Sequence, residues 1–423
     1  MQYLEYLSGH LSGIPFILAL FVIFGIVIQL VGILGLMVFK FRPLPQLRAD
    51  KPLPGVTVIK PCFSNLDNEE QNFDAFFNQT YPGKVQILFV VSQETDPIVP
   101  VVKSFLARYP GKDAKLVISA TRKAYWLKVD AMFDAHKFIK HELVIWSDSD
   151  AIVKPDYVTQ MASCLQEPGI SMVTTPQYDI RVNNIPTALK VLGNNCDVAV
   201  YAMIFNLFAR KINVGWGHSL GFNRADFQGI ENEIWETLSS SFGDDILLPT
   251  LFNKHGKKVV FRNIYCPVQY SNKTLKQMLG QQERFALCQK AFVGKAAIIL
   301  GFFLYPQIPA TFLLLWAPFH PVVWNLFFGV IALRIAISFI FEGLIIGSIR
   351  MSLKYFWTIP IWDFMHLYFG LFSLTHNEVQ YHGKVFRFSD RYLLEELNKK
   401  PNLEGLHTEW DQAETNPKSY RSP

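Results

Sequence analysis

The chain opens on an apolar block and closes on a longer one, with an alternating region between. Residues 11–39 carry no charge, a run longer than the roughly 20 residues that span a bilayer. After Pro43, Pro45, Pro52 and Pro54 the pattern shortens. Apolar runs at 56–60, 85–91, 115–119 and 142–146 have the length and β-branched content of buried strands. Between them, residues 66–78, 97–108 and 128–140 repeat with helical period, and Tyr81-Pro82-Gly83 supplies a turn. Strands alternating with helices predict an α/β fold with a mostly parallel sheet covered on both faces.

Further along, 171–175 and 259–261 read as strands. Residues 186–212 are long, apolar and faintly amphipathic, suiting either an interfacial or a buried helix. A glycine-punctuated loop, Gly215-Trp216-Gly217-His218-Ser219, leads into 220–223. Residues 274–290 read as a helix with Gln281, Arg284 and Phe285 on one face. Residues 296–333 are uncharged, but Pro306, Pro309, Pro318 and Pro321 interrupt them. The pattern predicts one span ending near Pro318 and a second starting near Val322, in which Arg334 and Glu342 face protein or each other rather than lipid. Residues 355–376 cross or re-enter. From Ser389 the chain is polar, and its last stretch is expected to be disordered.

Composition sharpens this picture. Half of the 423 residues are hydrophobic and 18% are charged, so the chain reads as a membrane protein with a soluble middle. Lys40, Arg42, Arg48 and Lys51 follow the first apolar run directly. By the positive-inside rule the amino terminus lies outside and the middle domain is cytoplasmic. The expected divisions are an anchor at 11–39, a catalytic domain at 52–290, a membrane region at 296–376 and a polar tail at 389–423. Five scattered cysteines form no CxxC pair, which argues against a zinc site and for reduced thiols. The net charge of +5 is not gathered into a stripe, so no nucleic-acid partner is expected.

The chemistry gathers at four acidic or basic signals. The run 142–146 ends in Ser147-Asp148-Ser149-Asp150. In open α/β sheets ligands collect beyond the carboxyl ends of strands, so Asp148 and Asp150 suit Mg²⁺ or Mn²⁺ with room left for phosphate oxygens. Asp244 and Asp245 open an apolar helical run, where caps are also common. Asp96 precedes a helix, and Arg284 sets a guanidinium on one helix face with Gln281 and Phe285.

Taken in order, Asp96, Asp148-Ser149-Asp150, Asp244-Asp245 and Gln281-Gln282-Glu283-Arg284-Phe285 resemble the motif series of inverting family 2 glycosyltransferases. The closest likeness is to ceramide glucosyltransferases and bacterial lipid glycosyltransferases. The resemblance implies a Rossmann-like GT-A domain flanked by one amino-terminal and two or three carboxyl-terminal membrane helices. It implies transfer from a UDP-sugar to a lipid hydroxyl with a divalent metal, giving a β-glycolipid. Carried over, Asp245 is the catalytic base, and Asp148 with Asp150 holds the metal. Asp96, Lys128, Asp148, Asp244, Gln281 and Arg284 meet the nucleotide sugar. Phe285 replaces the family's tryptophan, and with Trp216 and His218 it is a candidate for the acceptor side. Asp130 stands where relatives usually carry asparagine. Ceramide leads among acceptors by resemblance, ahead of diacylglycerol or a hopanoid. A processive polysaccharide synthase is the rival enzyme, and a silent membrane scaffold the rival outside enzymology.

Overall fold

The structure is a computed structural model, and it describes residues 13–48, 50, 52–62, 69–209, 211–213, 215–269, 273–381, 384–390 and 392–397. It divides into two compact units. A sheet unit comprises Phe39–Ile180 and Phe208–Ser271, and a helical unit comprises Met1–Val38, Arg181–Leu207 and Asn272–Pro423. The expected catalytic domain at 52–290 thus contributes 181–207 and 272–290 to the helical unit.

The sheet unit is built on β1 (Val56–Pro61), β2 (Val85–Val91), β3 (Asp113–Ile118), β4 (Leu143–Trp146), β5 (Ile170–Thr174), β6 (Gln177–Ile180), β7 (Leu220–Asn223), β8 (Lys258–Phe261) and β9 (Cys266–Gln269). Seven of these form one sheet in the order β3-β2-β1-β4-β7-β5-β8. β3, β2, β1 and β4 run parallel, as does the β5–β8 pair, while β7 runs antiparallel to both neighbours. β1 and β4 are buried at every position, as expected of strands covered on both faces. One layer contains Phe73, Phe77, Phe89 and Phe105, with Phe73 and Phe89 edge to face at 4.8 Å. Behind β4, Trp146 is fully buried and packs on Phe222 of β7 and on Trp235. β6 pairs with β9 outside the main sheet. The predicted strands and helices of this region occur within a few residues of their expected bounds, although 63–68 lie outside the described residues.

In the helical unit, the helix Ile14–Lys40 spans 27 residues, about 40 Å at 1.5 Å per residue. Ala19 and Val22 are buried with Ala310, Leu313, Val323 and Val330. Among the described residues, three helical stretches are long and apolar enough to cross a membrane: Ile14–Lys40, Ile185–Phe208 and Pro321–Ile346. The second falls on 186–212; Asn184 caps it through the Thr187 amide, and a π turn at Val198–Ala202 continues it. The helix Leu275–Val293, opened by a Thr274/Gln277 capping box, bends by 113° into Lys295–Leu304. Gly294 makes that corner at φ +83°.

The continuous span predicted to end near Pro318 does not form. Lys295–Leu304 and Gln307–Trp316 are separate ten-residue helices, each about 15 Å long and too short to cross alone. Tyr305 is extended, and Pro306 has no N–H with which to carry the first helix onward. Residues 355–376 contain one helix, Thr358–Thr375. A three-stranded antiparallel sheet follows, β10 (Glu378–Tyr381), β11 (Lys384–Asp390) and β12 (Leu393–Leu397). The polar tail predicted from Ser389 therefore begins as strand, and its last stretch lies outside the described residues.

Candidate active site

β4 ends at Trp146, paired with Leu220 at the start of antiparallel β7. The chain leaving β4 and the chain entering β7 therefore meet at the same end of the sheet. This brings His218 to the aspartates: its Nε2 lies 3.4 Å from Asp150 Oδ2 and 4.0 Å from Asp148 Oδ2. One ligand atom from each of Asp148, Asp150 and His218 falls within 4.8 Å of the others. Asp150 Oδ1 and His218 Nδ1 are buried without a hydrogen-bond partner among the described residues. Two carboxylates and an imidazole are a donor set for a divalent ion.

Lys128, in the helix Leu127–His136, is 4% exposed. Its Nζ sits 2.7 Å from Asp148 Oδ1 and 3.0 Å from Asp244 Oδ2, and donates to the Gly217 carbonyl at 3.3 Å. Burial opposes its charge, but Asp148 and Asp244 more than offset this and raise its pKa. Asp244 and Asp245 open the helix Asp244–Lys254 behind Gly243, whose φ of +110° turns the chain into it. The loop before β7 grips this helix end: the Gly215 amide donates to the Asp245 carbonyl at 2.7 Å. A β-carbon on Gly215 would stand 2.9 Å from that oxygen and 2.7 Å from Leu220 Cδ2, so only glycine fits. A β-carbon on Gly217 would lie 3.1 Å from Lys128 Nζ, 3.7 Å from Asp245 Cβ and 3.8 Å from Asp148 Oδ2. Lys128, Asp148 and Asp245 therefore surround one point.

Electrostatics separate the carboxylates. Burial and the neighbouring Asp244 push Asp245 up to about 7. Burial raises Asp148 despite Lys128, whereas Asp150 is held low because His218 outweighs its burial. Burial alone would lower His218, but Asp150 and Asp148 carry it up to about 9. Beneath the pair, fully buried Lys60 donates to the Asp148 carbonyl at 2.7 Å and lies 3.8 Å over the Phe76 ring. Burial lowers it to about 8 against the pull of the surrounding thiols and aspartates. Neither this support nor the Lys128 bridge to Asp244 was predicted from sequence. Lysines at the end of a strand and in the first turn of a helix were the available signal.

The other candidates fall as follows. Asp96 is 3% exposed and caps a helix, accepting from the Ile98 amide at 3.0 Å. Asp130 accepts from the Lys123 and Ala124 amides and so fastens the loop before its helix. Trp216 is half-buried against Phe261, ring centroids 5.2 Å apart. Gln281, Arg284 and Phe285 belong to the helical unit. Their helix buries Met278, Ala286 and Leu287, Phe285 is exposed, and the Arg284 guanidinium lies 5.5 Å from the Phe285 and Tyr381 rings.

An acidic cluster thus sits at the carboxyl end of β4 in a mostly parallel sheet, and the sequence matches a known family. The profile of Glycosyl transferase family 21 covers residues 17–392. The chain belongs to glycosyl transferase family 21. Ceramide glucosyltransferase 1 of Caenorhabditis elegans is 30% identical over 162 residues, 38% of this chain and 34% of that enzyme. Ceramide glucosyltransferase of Candida albicans is 35% identical over 77 residues, 18% of this chain and 14% of the fungal one. The matched stretch thus spans about a third or less of the length of these relatives. Among solved structures, a mannosyltransferase of Pyrobaculum calidifontis in complex with GDP-Man and Mn²⁺ superposes with a TM-score of 0.51 at 17% identity. The superposition covers 86% of this chain and 99% of that one. The likeness is one of fold, and the fold is GT-A.

Proposed function

We propose that this family 21 protein is a membrane-bound, inverting glycosyltransferase. It moves a sugar, glucose foremost, from a UDP-sugar to a hydroxyl of a membrane lipid, ceramide foremost. The carrying observation is the acidic cluster around Gly217, with Asp148, Asp150 and His218 in metal-binding reach of one another beside Asp245. The ceramide glucosyltransferase relatives support glucose as the sugar and ceramide as the acceptor.

Asp245 is the base. With its pKa near 7 it is poised to take the acceptor hydroxyl proton at neutral pH. Asp148, Asp150 and His218 would hold the divalent ion, which when bound screens the charge of the diphosphate. Lys128 keeps Asp148 and Asp244 together and offers its ammonium to the nucleotide. Asp96 serves the nucleotide end and Trp216 the acceptor. A single displacement with Asp245 opposite the leaving group inverts the anomeric centre, so an α-linked donor yields a β-glycoside. The helix Ile14–Lys40 anchors the protein with its amino terminus outside and the sheet unit in the cytoplasm, as Lys40 and Arg42 favour.

The test is incubation of the purified full-length protein and Mn²⁺ with several UDP-sugars and with ceramide, diacylglycerol and hopanoid acceptors, the products being identified by mass spectrometry. A single β-linked sugar on ceramide is expected. Failure of every donor and acceptor pair, or formation of a water-soluble polymer, overturns the proposal.

A further inference from the structure

The helical unit buries a second set of ionisable groups that the chemistry above does not use. Arg334, in the helix Pro321–Phe341, has a side chain with no exposed surface. Its Nη2 lies 2.6 Å from Asp363 Oδ1 and 2.9 Å from Asp197 Oδ1, and its Nε 3.0 Å from Asp363 Oδ2. Gln307 donates its amide to the same Asp363 oxygen at 2.5 Å. Asp197 Oδ2 accepts from Trp362 Nε1 at 3.1 Å and faces His366 Nε2 at 3.2 Å. Four helices from distant parts of the sequence thus send polar groups to one place. Burying them among apolar helices is costly, and such residues mark functional pathways in membrane proteins.

A helix clamp accounts for the Arg334–Asp363 pair but not for what is left over. Arg334 Nη1 and Gln307 Oε1 are both buried with no hydrogen-bond partner among the described residues. That is one free donor and one free acceptor on groups that share Asp363, a cost that a closed clamp has no reason to carry. The cluster is also not sealed. The Asp197 and His366 side chains keep 16% and 23% of their surface exposed. Tyr305 stacks on His366 at 4.2 Å, and Tyr201 lies 4.8 Å beyond it, giving the opening aromatic walls.

We propose that this cluster is the polar floor of a lipid-headgroup site. It takes a neutral head that offers a hydrogen-bond donor and an acceptor side by side, as a hydroxy-amide or a hydroxy-ester does. The head's carbonyl fills Arg334 Nη1, and its N–H or O–H fills Gln307 Oε1. Asp197, whose carboxylate is only partly covered, turns anionic phosphate heads away. The site rests on the lipid-acceptor reading above, and all of its residues belong to the helical unit.

The full-length protein in detergent is titrated with short-chain ceramide, short-chain diacylglycerol and phosphatidic acid. A headgroup photolabel on the better-binding neutral lipid is then mapped in the wild-type protein. Ceramide or diacylglycerol is expected to bind and phosphatidic acid to fail, with the label on residues 197–201, 304–307 or 362–366. Gln307→Met is expected to raise the Kd and the lipid KM about tenfold while the KM for the UDP-sugar stays put. Equal binding of phosphatidic acid, an unchanged Kd in the variant, or a label confined to other segments overturns the site. Should Gln307→Met not fold, wild-type labelling decides alone. Sugar transfer to lipid with the label elsewhere sinks this site and spares the transferase; labelling here with no lipid ever glycosylated does the reverse.

Discussion

At the scale of single residues, Asp245 is the decisive group. Replacing it by asparagine keeps the shape and removes the proposed base, so Asp245→Asn should lower kcat by about 10²–10⁴, read from initial rates of transfer. In the wild type, kcat/KM should rise with pH along a limb centred near 7, because the carboxylate is the working form. Stability carries the opposite sign. The folded pKa lies above the ordinary 3.8, so between those values the native state keeps a proton that the unfolded chain has lost. Stability from this group is present at low pH and falls as pH rises through that window. Asp245→Asn should then unfold at a Tm no lower than the wild type at pH 8 while being inactive. Lys128→Met is different in kind: it strands Asp148 and Asp244 without their shared ammonium. Breaking such a buried arrangement costs about 3 kcal/mol or more, and denaturant unfolding should show it together with the loss of transfer.

At the scale of elements, the site depends on how one strand runs. β7 is antiparallel between β4 and β5, and this reversal delivers the Gly215–Ser219 loop to the end of β4. Gly215→Ala tests the delivery without removing a polar side chain. The added methyl would press on the Asp245 carbonyl, so kcat should drop at least about tenfold, a shift of 1.4 kcal/mol in the barrier, with secondary structure by circular dichroism unchanged. The sequence displays the loop and both aspartate pairs, but strand direction is not written in a four-residue apolar run. His218 therefore reads as a loop histidine until β7 is paired. Pro306 shows the same limit in the helical unit. Proline marks a break in sequence, yet whether the chain resumes as the same span is settled by neighbours such as Gly25, whose added β-carbon would meet the Pro306 ring at 2.8 Å.

At the scale of the whole molecule, the proposal predicts metal dependence and a fixed orientation. Chelation should abolish transfer, and added Mn²⁺ or Mg²⁺ should restore it. His218→Ala should raise the Mn²⁺ concentration for half-maximal activity, measured by titration of the chelated enzyme. A tag before Ile14 should be labelled from outside sealed cells, and one after Leu397 only once they are opened. The sequence by itself determined the apolar blocks, the strand and helix alternation and the positions of Asp148, Asp150, Asp244, Asp245 and Arg284, because period and charge are local properties of a chain. Only the tertiary structure decided that His218 joins the aspartates, that Lys128 bridges Asp148 to Asp244, and that Arg334 pairs with Asp363 and Asp197. Glu342 is buried too, but it accepts from Ser352 rather than pairing with Arg334. Each of these contacts joins residues far apart in sequence, and which partners meet depends on strand direction and helix packing that no local pattern encodes.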